Sequence, residues 1–276
     1  MQKTNGFGGR IRKALLWLFC AAVALCGPLP QSFAEIDQPQ ETPAPAETEY
    51  VPADPMGDLP IENMSGPLSG LIIGIDAGHQ AKGNYDHEPI APDSDETKAK
   101  VSSGTQGCVS GVPEYITNLE VSLLLRDALE TLGAQVHMTR TEHDVDISNI
   151  ERALMFNEVN ADLVLRIHCN GASNPEAKGI GLFVTETGAI AEESYAISEC
   201  LLETMLDETG AERYGIFTSD GYTGLNWSEV PSIIVEMGFM SNAQEDLLLQ
   251  DPEYQSKLVE GMVRGIALYF ERDLAE

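Results

Sequence analysis

The chain has 276 residues, 43% of them apolar, enough to bury the core of one large domain or two small ones. Its 44 acidic residues outnumber 16 basic ones, a formal charge of −28; such a surface repels phosphate backbones and excludes DNA or RNA as partners. Five cysteines, with Cys20 and Cys26 inside the first apolar run, exclude a disulfide-built scaffold and leave Cys108, Cys169 and Cys200 as expected free, mostly buried thiols.

Lys3, Arg10, Arg12 and Lys13 precede an apolar run from Ala14 to Cys26, and Ser32-Phe33-Ala34 offers small residues before a cut after Ala34. Residues 1–34 therefore read as a secretory signal, with a retained membrane anchor as the rival reading; the run is short for a full span. Either way the rest of the chain is expected outside the cytoplasm. Residues 35–68 are acidic and Pro-rich without apolar periodicity, and read as a disordered linker.

From residue 69 to 276 short apolar runs alternate with amphipathic stretches. Leu71 to Ile75 reads as a strand. A helix follows Pro113, with Val121, Leu125, Ala128 and Leu132 at helical spacing and Gly133 closing it. Gln135 to Thr139 reads as a strand, and Ser148-Asn149-Ile150-Glu151 as a capping box opening a helix toward Asn160. Leu163 to Ile167 and Ile180 to Val184 read as strands, Ala189 to Leu206 as a helix, Ile233 to Val235 as a strand, then two helices. Such alternation predicts an α/β fold, a single three-layer domain with a largely parallel twisted sheet flanked by helices.

Ligands of open α/β sheets bind beyond the carboxyl ends of the strands. His79 follows the first strand, His168 directly follows Ile167, and Glu236 directly follows Val235. Glu114 stands two helical turns before Val121 on the stripe that must face the sheet, where a carboxylate is costly unless paired or bound to a cation. Two histidines and a glutamate are a ligand type of catalytic zinc in hydrolases, and Glu236 is then the available general base. Singly, each signal is weak: a histidine at a strand end is more often structural, and a glutamate at a helix start usually complements the dipole.

Four ordered motifs carry a resemblance. They are Ile75-Asp76-Ala77-Gly78-His79; Glu114 with Asn118-Leu119; Ala161-Asp162-Leu163 running to His168-Cys169-Asn170; and Pro231 to Asn242, which includes Glu236-Met237-Gly238. Across residues 70–270 the chain resembles the zinc-dependent N-acetylmuramoyl-L-alanine amidase family. The resemblance implies that His79, Glu114 and His168 hold Zn2+, that Glu236 is catalytic, and that the substrate is peptidoglycan, cut between N-acetylmuramic acid and L-alanine. It also places the chain in the cell wall or periplasm, or tethered to the outer face of the membrane through its N-terminal segment.

The chain departs from that pattern at Ala77 and Gln80, where the family usually has Pro and Gly. Residues 81–112 form a longer polar insert, read either as a passive surface loop or as a lid that an activator protein moves. Arg166 is a second candidate catalytic group, holding a substrate carboxylate or an oxyanion; the competing reading pairs it with a local acid. Asp76 is expected to orient a ligand histidine or a loop amide, and Asn242 to cap a helix. His137 reads as packed in a strand, His143 as part of a polar turn, and His87 as an insert residue. Tyr214, Tyr222 and Trp227 line a groove or join the core. Two rival functions remain: a zinc carboxypeptidase, for which Arg166 would hold the peptide terminus, and an inactive wall-binding relative.

Overall fold

The computed structural model describes residues 65–275, so the expected signal and nearly all of the expected linker lie outside the described residues. Folded structure begins slightly earlier than residue 69. Leu68 is fully buried and its N–H donates to the Leu132 carbonyl, because an apolar side chain at the domain entrance finds the end of the first helix to pack against.

The strands are β1 (Ile72–Ala77), β2 (Asn84–Pro89), β3 (Thr97–Val101), β4 (Gln135–Met138), β5 (Leu163–Asn170), β6 (Ile180–Val184), β7 (Arg213–Thr218) and β8 (Ser232–Phe239). The helices are α1 (Glu114–Thr131), α2 (Asn149–Glu158), α3 (Ala191–Thr209), the short α4 (Thr223–Asn226), α5 (Ala243–Leu249) and α6 (Pro252–Tyr269). Six strands form one sheet in the order β4-β1-β5-β8-β6-β7; every pairing is parallel except β6 with β8. This is the largely parallel α/β sheet expected from the sequence. The β2–β3 hairpin stands apart as a second, antiparallel sheet. Alternation inside the insert is polar rather than apolar, so β2 and β3 carried no strand signal.

Local chemistry sets the helix ends. The Ser148 hydroxyl accepts from the Glu151 N–H while the Glu151 carboxylate accepts from the Ser148 N–H, the reciprocal cap that the sequence predicts. Asn242 caps α5 by accepting from the N–H groups of Gln244 and Glu245. Asp251 caps α6, whose first residue is Pro252, a position that needs no N–H partner.

The main core lies on one face of the sheet. Ile73, Ile75, Leu165, Ile167 and Val235 meet α1, α3 and α6 there, all fully buried. α6 lies close on α3: a Cβ at Gly261 or Gly265 would stand 2.6 Å and 2.7 Å from the Cα atoms of Met205 and Leu201. On the opposite face Phe156 of α2 packs with Val164 and Ile72, its ring filling the space over Gly74. This second layer covers the β1–β5 side only, and Tyr214 and Phe217 on β7 stay 44% and 36% exposed. The uncovered part of that face, at the carboxyl ends of the central strands, is where the functional side chains gather.

Candidate active site

β5 and β8 each run past the apolar stretch that marks them in the sequence, so His168 and Glu236 sit on strands rather than after them. In the parallel register His168 lies beside Glu236, and Arg166 lies between Asp76 and Ile234. Period-two alternation therefore puts Asp76, Arg166, His168 and Glu236 on one face. His79 stands two residues beyond β1 in a left-handed conformation (φ 60°), which costs about 1–3 kcal/mol for a residue with a Cβ. Glu114 is the first residue of α1 and reaches the same point from the sheet edge.

One group of metal-type donors lies together among the described residues. His79, Glu114 and His168 each offer one atom, all within 4.8 Å of one another. Oε1 of Glu114 is 3.2 Å from Nε2 of His79 and 3.1 Å from Nδ1 of His168. The carboxylate is held from behind: Oε1 accepts from the Cys169 N–H and the Asn118 amide, and Oε2 from the Thr105 N–H. Nδ1 of His79 faces the Ser102 carbonyl at 2.9 Å, which fixes the tautomer that leaves Nε2 free to coordinate. Burial works to raise the Glu114 pKa, but the hydrogen bonds and charges of the two histidines hold it well below the usual range. A buried anion between two imidazoles is a donor set that fits zinc. The His168 ring can take this position only because residue 78 is glycine, since a Cβ there would stand 2.3 Å from Cε1 of His168.

Beneath the cluster lies a buried ionic network. Asp76, 2% exposed, accepts from Arg152 at 2.7 Å, from Arg166 at 2.6 Å and from the Thr139 hydroxyl at 2.8 Å. Burial pushes its carboxyl up, yet the two guanidinium groups prevail and hold it well below the carboxylate range. Asp76 thus makes no hydrogen bond to a ligand histidine; it organises arginines instead. Arg152 donates to the carbonyls of Ala77 and His79 and to Oε1 of Gln80, and Arg140 to the carbonyls of Ala77 and Gly78. These bonds hold the strained turn that carries His79. Gln80, one of the departures from the family pattern, also accepts from the Ile147 N–H and so ties the turn to the start of α2.

Arg166 donates to Asp76, to the Ser232 hydroxyl and to the Gly224 carbonyl. All three of its nitrogens are engaged, and of its two sequence readings the pairing with a local acid is the one this geometry displays. Sequence reasoning missed Arg152 and Arg140. Arg152 stands four residues before Phe156 on the buried stripe of α2, and a charge on an apolar stripe is the same signal that singled out Glu114.

Glu236 faces a cavity of about 750 Å³ that His79, Glu114 and His168 also line. Its Oε2 is buried and has no hydrogen-bond partner among the described residues. Burial, then the nearby charge of Glu114, push its pKa up to about 8.

Comparison with known proteins decides the family. Residues 73–268, well over half the chain, match the family model described as N-acetylmuramoyl-L-alanine amidase. The chain belongs to that family. It is 28% identical over 212 residues to the N-acetylmuramoyl-L-alanine amidase Rv3717 of Mycobacterium tuberculosis, covering 72% of this chain and 86% of that one. It is 30% identical over 222 residues to the germination-specific N-acetylmuramoyl-L-alanine amidase of Bacillus subtilis, covering 74% and 81%. Its fold is similar to the apo form of the amidase Ami1 from Mycobacterium abscessus, with TM-score 0.67 and 27% identity over 73% of this chain and 99% of that one.

In this amidase the insert does not hang free. Lys98, Ala99, Ser102 and Thr105 line the cavity wall. The Lys98 ammonium donates to the Gly221 carbonyl at 2.6 Å, the Trp227 indole to the Pro89 carbonyl and the Asn226 amide to the Ile90 carbonyl. Trp227 therefore pins the hairpin, whereas Tyr222 joins the cavity wall and Tyr214 lies outside it. The other histidines stand apart from the donor cluster: His87 is exposed beside Thr97, His137 meets Gln135, and the ring of His143 packs edge-on against Tyr115.

A pH effect on the metal-free amidase follows from Glu236. Its folded pKa is raised, from 4.5 to about 8, so the unfolded chain ionises first and stability falls as pH rises between these values. At about 1.4 kcal/mol per unit, metal-free Glu236→Gln is expected to be several kcal/mol more stable than wild type at pH 8 and equal to it near pH 4. Urea melts at the two pH values test this; equal stabilities at pH 8 would contradict it.

Proposed function

We propose that this amidase is a zinc enzyme in which His79, Glu114 and His168 hold the ion and Glu236 moves the proton. The observation that carries the reading is the buried Glu114 carboxylate, flanked by two imidazole nitrogens at 3.1–3.2 Å and adjoining a cavity that also holds Glu236. When bound, zinc would supply Lewis-acid charge that polarises the scissile carbonyl and eases loss of a proton from water. Glu236 accepts the proton of the attacking water at its unpartnered Oε2 and returns it to the departing L-alanine nitrogen as the C–N bond breaks. The Glu236 carboxyl is pushed up by burial in the metal-free protein and would be lowered by a nearby dication, the opposing pulls that suit a group which must both take and give a proton. Arg152 and Arg140 hold the His79 turn, and Asp76 pairs Arg152 with Arg166 beneath it.

Engagement of Arg166 by Asp76 leaves it unsuited to grip a peptide carboxylate, which removes the feature that favoured a carboxypeptidase. Export to the wall or periplasm through residues 1–34, as a cleaved signal or a retained membrane tether, is supported by the basic-then-apolar N-terminus and by the location of peptidoglycan itself. The insert forms a cavity wall on which an activator protein would work, a reading supported by its β2–β3 hairpin, which stands apart from the main sheet while Lys98 and Ala99 line the cavity.

The test is a digest of purified peptidoglycan followed by mass spectrometry. Zinc-loaded protein is expected to release intact stem peptides with a free L-alanine amine. Dialysis against a chelator should abolish release and zinc, added stoichiometrically, should restore it; full activity in chelator would refute the metal assignment.

A further inference from the structure

Among the described residues no helix covers the second face of the sheet over β6 and β7, and what lies there is aromatic. Phe183 and Phe217 stack with centroids 5.1 Å apart, Phe217 meets Tyr214 at 5.0 Å, and Phe183 meets Tyr222 at 5.5 Å. Simple alternation would place Tyr214 and Phe217 on opposite faces of β7. A register shift between Ile180 and Gly181, with Gly215 at φ 139°, breaks the alternation and brings both rings to one side. Glycine at 181 makes the room: a Cβ there would stand 2.8 Å from Cδ1 of Tyr214. The result is a row of rings, Tyr214–Phe217–Phe183–Tyr222, running from the edge strand inward. Its inner end, Tyr222, lines the cavity that contains Glu236 and His168.

We propose that this row is a docking shelf for the glycan backbone of the wall, outside the cleavage site and continuous with it. The proposal rests on the amidase reading, because the scissile amide hangs from a sugar chain that must leave the cavity in some direction. Aromatic faces bury the C–H faces of N-acetylated pyranose rings while the sugar hydroxyls stay hydrated. Charge selects the same occupant. Exposed Glu186 and Asp220 lie on the loops that follow β6 and β7, while Arg213 is paired with Glu203 and Lys178 with Glu212, so a neutral polyol is favoured over the carboxylates of a stem peptide. Rows of half-exposed aromatics beside a cavity are costly to leave unmatched in water.

The experiment uses the full-length, zinc-loaded chain and the double variant Tyr214→Ala/Phe217→Ala, both positions being at least a third exposed. Calorimetry with a β-1,4-linked N-acetylglucosamine hexamer reads binding without any amide to cut. Wild type is expected to bind saturably and the double variant at least about tenfold more weakly. Turnover is then compared on a one-sugar muramoyl peptide and on long glycan chains bearing the same peptide. A rise in KM of roughly tenfold for the long chains only, with kcat unchanged, supports the shelf. Equal hexamer affinity in both proteins overturns it, as does binding of free stem peptide that the double variant loses while the hexamer does not bind. Absence of cleavage of either substrate by wild type would sink the amidase reading, and the hexamer titration would still judge the shelf. Should the double variant misfold, Phe217→Leu keeps apolar volume without a flat ring and is expected to bind the hexamer several-fold more weakly.

Discussion

Glu236→Gln is expected to lower kcat on peptidoglycan by roughly 10²- to 10⁴-fold while the protein still binds zinc. The amide is isosteric with the acid but accepts no proton, so the attacking water keeps its proton and the leaving nitrogen receives none. Glu236 is not one of the donors clustered around Glu114, although it lines the same cavity. Zinc affinity should therefore change far less than turnover. Metal content by mass spectrometry and single-turnover rates separate the two effects. Wild-type rates in the variant would remove Glu236 from the chemistry; loss of zinc would make it a ligand instead.

Asp76→Asn should be the most damaging single substitution beneath the site, at about 3–5 kcal/mol. Among the described residues Asp76 is the one anion bonded to Arg152 and Arg166, and Arg140 adds a third buried positive charge close by. Removing it leaves these guanidinium groups with backbone carbonyls as their main partners, and the cost of an uncompensated buried charge then appears in full. A fall in the melting midpoint of roughly 10 °C is expected. Because the folded carboxyl lies well below its ordinary pKa, its stabilisation is present at neutral pH and fades as pH falls below about 4. Wild type and Asp76→Asn should therefore converge in acid. Adding Arg166→Met to Asp76→Asn removes the opposing charge and should recover part of the loss. Purely additive destabilisation in that double variant would show that Asp76 does not act through the arginines.

The strands and helices that build the core were legible because their signal is local. A continuous apolar run such as Leu163 to Ile167 has to be buried on both faces, and a stripe such as Val121, Leu125 and Ala128 has to face a sheet. Caps were legible for the same reason: Ser148 with Glu151, and Asn242, satisfy N–H groups within three residues of themselves. The hairpin of the insert was not legible, since its strands are polar and are held by bonds to residues more than a hundred positions away, such as Gly221 and Trp227. β7 was missed because a bulge at Gly215 breaks its alternation.

The candidate site divides along the same line. Sequence by itself singled out the candidates, because His79, His168 and Glu236 follow or end apolar strand signals and Glu114 violates an apolar stripe. Only the tertiary structure decided what each side chain meets. Asp76 and Arg166 are 90 residues apart in the chain and 2.6 Å apart in the fold, so no local pattern could choose between an arginine that grips substrate and one that grips Asp76. Likewise, three donors drawn from a turn, a helix start and a strand become one cluster only because parallel pairing brings the carboxyl ends of β1 and β5 together. The order of strands in a sheet is a property of long-range packing, and that is where the sequence's local code stops.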